Sequence, residues 1–112
     1  ELRRKLEKKS FMTSKQYYRI GRYKAAVTSL ENTLLEYPDT KYREEALFVI
    51  VKSYYEWSEN SVDSKKEERY SNTKKAYFKF AAAYPESYFS KEAKKVLEEA
   101  EEELEKFLSK KA

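Results

Sequence analysis

Pro38-Asp39-Thr40-Lys41-Tyr42-Arg43-Glu44-Glu45-Ala46 returns 47 residues later as Pro85-Glu86-Ser87-Tyr88-Phe89-Ser90-Lys91-Glu92-Ala93. Each copy follows a tyrosine, Tyr37 or Tyr84. Proline, acid, hydroxyl, aromatic, Glu and Ala keep register between the copies. Self-similarity at this spacing is the mark of stacked structural repeats, whose extended surfaces commonly hold other proteins. The prolines also fix local structure. Proline disfavours helical geometry in the residue before it, so each Tyr-Pro step closes one helix ahead of the next unit.

Working outward, apolar spacing predicts five helices. The first covers about 2–19, with Leu2, Leu6, Ser10, Thr13, Tyr17 and Ile20 on one stripe. Gly21 then offers a left-handed turn. The second covers about 23–36, turning Tyr23, Ala26, Val27, Leu30 and Leu34 inward. The third covers about 41–58, with Leu47, Ile50, Val51, Tyr54 and Trp57 on one face. A polar loop is expected at Glu59–Asp63. Ser64-Lys65-Lys66-Glu67 fits a capping box opening the fourth helix, about 64–83, with Tyr70, Thr73, Tyr77, Phe80 and Ala81 inward. The fifth covers about 89–109 with Phe89, Ala93, Val96, Leu97, Ala100, Leu104, Phe107 and Leu108 in a stripe. The tail Ser109–Ala112 is expected to fray. Short connections imply antiparallel neighbours.

Composition agrees. One Gly and two Pro in 112 residues leave too few turn formers for an all-β fold. Charged residues reach 39%. Aromatics at 16% supply a core that a disordered chain would lack. The chain contains neither His nor Cys, which removes disulfides, thiol nucleophiles, the usual zinc and haem ligands and the commonest acid–base catalyst. No apolar run reaches the ~18 residues of a membrane span. The chain starts in helical sequence without an initiator Met, so it is expected to be a piece of a longer protein, with targeting information elsewhere.

The spacing Tyr17-Tyr18, Gly21, Tyr23, Ala26, Leu30, Thr33, Pro38 resembles the tetratricopeptide repeat. Leu47, Ile50, Val51, Tyr54 and Tyr55, followed by Tyr70, Thr73, Tyr77, Phe80 and Pro85, resemble a second, longer copy. The period of 47 exceeds the usual ~34 by about 13 residues, assigned to a longer inter-helix loop and an added turn on the fourth helix. The expected architecture is an all-α, tetratricopeptide-type solenoid in a single domain, 1–112. One unit spans about 2–38, the next about 41–85, and a capping helix about 89–109.

Tyr37–Leu47, the Glu59-Asn60-Ser61 loop, Lys66–Tyr70 and Tyr84–Tyr88 further resemble the carboxy-terminal half of BamD, the repeat-containing lipoprotein of the outer-membrane β-barrel assembly machinery. The family's lipidated amino-terminal Cys and earlier repeats lie outside this chain. The resemblance implies a periplasmic, lipid-anchored scaffold without cofactor, whose partners are the periplasmic domains of the barrel-forming subunit and unfolded barrel substrates. It implies binding, not reaction.

In such repeats the first helix of each unit lines the concave face. That geometry would bring Lys8, Phe11, Lys15, Tyr18 and Arg19 from the first unit to one side with Glu45, Phe48, Lys52, Tyr55 and Glu56 from the second. Phe11, Tyr18, Phe48 and Tyr55 would be aromatic anchors edged by charge, the residue types that dominate interfaces. The competing reading is that Phe11 and Phe48 pack on neighbouring helices. Leu2, Leu6 and Phe11 could also pair chains through the first helix. The carboxylates Glu44-Glu45 and Glu98–Glu103 read as exposed helical faces rather than catalytic or calcium-binding groups, because a helix fans successive carboxylates apart. Two other readings stay open. One is a general peptide-binding tetratricopeptide adaptor. The other is a nucleic-acid binder using residues 3–24, within a stretch, 1–24, where nine Lys/Arg face two Glu.

Overall fold

A computed structural model describes residues 1–111 of the chain. It is all-α, with no strand among the described residues: α1 (Leu2–Arg19), α2 (Tyr23–Glu36), α3 (Arg43–Glu59), α4 (Asp63–Ala83) and α5 (Ser90–Lys111). Sequential helices pack as neighbours, and α3 also touches α1 and α5, whereas α2 and α4 do not meet. The helices therefore form two layers, α1–α3–α5 and α2–α4. The extents of 56 × 28 × 19 Å and the 14.6 Å radius of gyration, against about 13 Å for a compact chain of this length, show an elongated stack. This is a tetratricopeptide-type arrangement of antiparallel hairpins.

The repeated nonapeptide builds the same joint twice. Tyr37 N–H closes α2 on the Thr33 carbonyl at 2.8 Å, and Tyr84 N–H closes α4 on the Phe80 carbonyl at 2.9 Å. The hydroxyls of Thr40 and Ser87 then accept the N–H of Tyr42 (3.3 Å) and of Phe89 (3.0 Å), forming hydroxyl turns that launch the following helix. Ala46 and Ala93, both fully buried, let that helix approach its neighbours closely.

Each joint is held by one aromatic stack. Phe11 of α1 lies on Tyr42 (centroids 4.8 Å apart, 15° between planes), and Phe48 of α3 lies on Phe89 (4.7 Å, 13°). The core runs along α3, where every residue from Ala46 to Val51 is buried. A helix packed on all sides has no amphipathic stripe to read.

Four sequence expectations need correction. On α1 the buried residues are Glu7, Phe11 and Ser14, while Leu2, Leu6, Thr13 and Ile20 are exposed. The interface with α2 is a ladder of hydroxyls, Ser10 to Thr33 (2.6 Å) and Ser14 to Ser29, which carries no hydrophobic signal. The linker after α3 is not enlarged: Asn60–Val62 is as short as Ile20–Arg22. The extra residues lengthen α4, as expected, to 21 residues against 14 for α2, while α3 at 17 residues is no longer than α1 at 18.

The Ser64 capping box does not form. Val62 stands at the cap position in extended backbone, and Asp63 opens the first turn, where its charge suits the helix dipole. Finally, α5 continues to Lys111, with Lys110 and Lys111 completing its last turn. Of the tail expected to fray, Ala112 lies outside the described residues.

Candidate functional site

The α1–α3–α5 layer carries a groove of about 270 Å³. Six of the ten residues singled out from sequence line it: Lys15, Tyr18 and Arg19 from α1, and Glu45, Phe48 and Lys52 from α3. The repeat explains the convergence. α1 and α3 are equivalent helices one unit apart, so equivalent positions face the same way.

Lys15 Nζ reaches Glu45 Oε2 at 2.7 Å, bridging the two helices. Both side chains are partly exposed, so the pair contributes at most about 1 kcal/mol. Lys52 sits over two rings, 5.0 Å from the Tyr18 centroid and 4.7 Å from that of Phe48. Its ammonium is held by aromatic faces rather than by a carboxylate. Arg19 is exposed on the rim. Tyr18 leans edge-on against Tyr23, and burial, then the nearby Glu56, Tyr23 and Glu92, push its hydroxyl above the ordinary tyrosine range.

Phe11 is fully buried and Phe48 is 2% exposed. Neither presents a ring to a partner. Their anchor role gives way to packing, because each is consumed by the stack that joins successive hairpins. Lys8 is exposed and lies outside the groove, as do Tyr55 and Glu56. Tyr55 donates to Glu59 at 3.3 Å and faces Glu99 and Glu103 of α5, while Glu56 is half-buried close to Tyr18.

Sequence reasoning missed the contribution of the region leading into α5. Phe89 and Glu92 complete the groove wall. The signal was present in the nonapeptide itself: 47 residues separate Tyr42 from Phe89 and Glu45 from Glu92. Treating α5 only as a cap hid that its first turns repeat those of α3.

Among the described residues no cluster of His, Cys, Asp or Glu is arranged to hold a metal ion, and no helix is long and apolar enough to cross a membrane. The charged groups of the groove are the Lys15–Glu45 pair, Lys52 over its two rings, Arg19 and Glu92, a set suited to recognising a charged protein surface.

Fold and groove together define a tetratricopeptide-type solenoid segment. The sequence model of the YfiO family, described as an outer membrane lipoprotein, matches residues 1–70. That span holds α1 to α3 and the opening turns of α4, well over half of the chain. The chain therefore belongs to the YfiO outer membrane lipoprotein family, in keeping with the BamD-like character of its Tyr-Pro motifs. No individually curated protein shows significant similarity to it.

Proposed function

We infer that the chain is a protein–protein scaffold, a segment of the outer-membrane β-barrel assembly machinery. The family match over residues 1–70 carries this reading. It is supported by a groove whose charged and aromatic groups come from three successive helices of one layer. In this reading 2–38 and 41–85 are repeat units and 89–109 caps them. The protein works at the periplasmic face of the outer membrane, anchored by the lipid that the family description records. Its partners are the periplasmic domains of the barrel-forming subunit and unfolded barrel substrates. The work is binding rather than reaction, without cofactor.

The recognition surface is the groove with Lys15, Tyr18, Arg19, Glu45 and Lys52 as contacts. Lys52 is the central group, since a partner carboxylate could reach it without breaking an internal ion pair. Arg19 adds a second cation at the rim. Phe48 and Phe89 line the floor.

The test is a binding titration of the chain with the purified periplasmic domains of the barrel-forming subunit. Saturable binding is expected, weakened at least tenfold by Arg19→Glu with Lys52→Glu and weakened also by added salt. Absence of binding, with the chain shown to be folded by circular dichroism, would remove the assembly role. Binding of unrelated peptides in the same groove would favour a general tetratricopeptide adaptor.

A further inference from the structure

A second concavity lies on the other layer. α2 and α4 both pack on α3 but not on each other, leaving a groove of about 560 Å³ between them. Its floor is apolar: Leu47 and Ile50 of α3 lie buried at its base, and Leu34, Tyr54 and Ala76 stand half-buried above them. Leu35 stands on the α2 rim at 78% exposure. A single exposed leucine is ordinary, but one beside a continuous apolar floor marks a surface that gains by being covered.

The charge around that floor is one-sided. Lys75 and Lys79 rise from α4 and Arg43 closes one end, while the α2 rim carries Glu31. None of these three cations makes an ion pair among the described residues, although Lys15, Lys74 and Lys106 each have a carboxylate partner. An occupant that supplies carboxylates along the α4 side would answer all three.

The backbone of the occupant follows from the same surface. No strand edge exists among the described residues, so an extended segment would lay unpaired N–H and C=O groups on an apolar floor. A helix satisfies its own backbone and offers a stripe at i, i+3, i+4 and i+7. We propose that the α2–α4 groove seats an amphipathic helix of a partner protein, its apolar stripe on Leu34, Leu35, Tyr54 and Ala76 above the buried Leu47 and Ile50, and its Asp/Glu flank against Lys75, Lys79 and Arg43. This surface is on the opposite layer from the α1–α3–α5 groove, so the two readings succeed or fail separately.

The probe is a pair of helix-stabilised peptides, each about 14 residues long, near the lower limit for a helix that holds together alone. Both carry the same Leu stripe, one flanked by Glu and the other by Lys. Titrated into the isotopically labelled chain at low salt, the Glu peptide should bind at least tenfold tighter. Its amide shifts should centre on Leu35, Ile50 and Lys79. K75E with K79E, both at exposed positions, should invert the preference, and Leu35→Asp should weaken both peptides. Equal affinity for the two peptides, or shifts confined to α1 and α5, would overturn the proposal. So would a chain whose groove is closed by self-association in sedimentation, or one that binds anionic phospholipid vesicles through Lys75 and Lys79 while ignoring the peptides.

Discussion

The two hairpins share a plan and differ in what holds them. Both end on the same Tyr-Pro joint, and both turn through three residues. α1 and α2 meet through hydroxyls, Ser10 with Thr33 and Ser14 with Ser29, around the small Ala26. α3 and α4 keep one such hydroxyl contact, Ser58 with Thr73 at 3.4 Å, and add rings and branched chains, with Phe80 6.0 Å from Phe48 and six consecutive buried residues on α3. Hydroxyl contacts let helices approach closely but bury little apolar area, and apolar area supplies most of the stabilisation. The second hairpin is thus the cornerstone, and the first leans on it through Phe11, Tyr42 and the Lys15–Glu45 bridge.

The added turns of the second hairpin have their own fastening. Tyr70, 2% exposed, donates to a carboxylate oxygen of Glu59, and Tyr55 donates to the other at 3.3 Å. Arg69 lies 4.4 Å above the Trp57 ring. Lys66 reaches the Glu59 carbonyl at 3.2 Å and the Asn60 side chain reaches that of Glu56 at 2.8 Å, so side chains cap α3. The first hairpin instead uses Gly21 at φ 81°.

The contrast can be broken most forcefully in its core. Phe48 is stacked on Phe89 and also packs beside Phe80. Phe48→Ala should therefore cost about 3–5 kcal/mol in urea unfolding. Phe11→Ala should fall at the low end of that range, because α1 has neighbours on one side only. Equal losses would deny the asymmetry.

Tyr70→Phe should cost about 1–3 kcal/mol by taking a donor from Glu59. Burial first, then the hydrogen bond and charge of Glu59, hold the Tyr70 hydroxyl well above its ordinary pKa of 10.0. Burial also leads for Tyr55, followed by the charges of Glu59, Glu99 and Glu103. Both groups ionise later in the fold than in the unfolded chain. Their contribution to stability is therefore complete below pH 10.0 and declines as pH rises toward the folded values. Urea midpoints measured across that alkaline range should fall less steeply for the Phe variant.

A smaller effect is expected in the first turn. A Cβ on Gly21 would meet nothing within 4 Å. Gly21→Ala therefore isolates the cost of the left-handed backbone, about 1–2 kcal/mol. Thermal unfolding checks it. The smallest effect is at the surface. Arg3 pairs with Asp39 at 3.0 Å and lies over the Tyr37 ring, yet both charges are largely exposed. Arg3→Ala should change stability by less than about 1 kcal/mol, and the change should shrink in salt.

Much of this was legible in sequence because the signals were local. Pro38, Pro85 and Gly21 punctuate the chain, and the observed helix ends fall within two residues of those expected. What failed was tertiary. The stripe Leu2, Leu6, Thr13 and Ile20 points outward because α1 packs through Ser10 and Ser14, whose hydroxyls look polar until they are paired. The extra residues look like a loop because Glu59 to Glu68 is polar, yet Glu59 is drawn in by Tyr70 and Lys66 by the end of α3. For the groove, periodicity aligned α1 with α3. It could not tell that Phe11 and Phe48 are spent on joints, since a buried stack and an exposed anchor have the same spacing.

Native-state hydrogen exchange, read residue by residue, tests most directly whether α3 is the helix on which both hairpins depend. Amides of Ala46–Val51 should exchange only through global unfolding, while those at the start of α1 open at lower free energy. Protection in α1 equal to that in α3, or loss of α3 protection while the α1–α2 hairpin stays closed, would contradict the account.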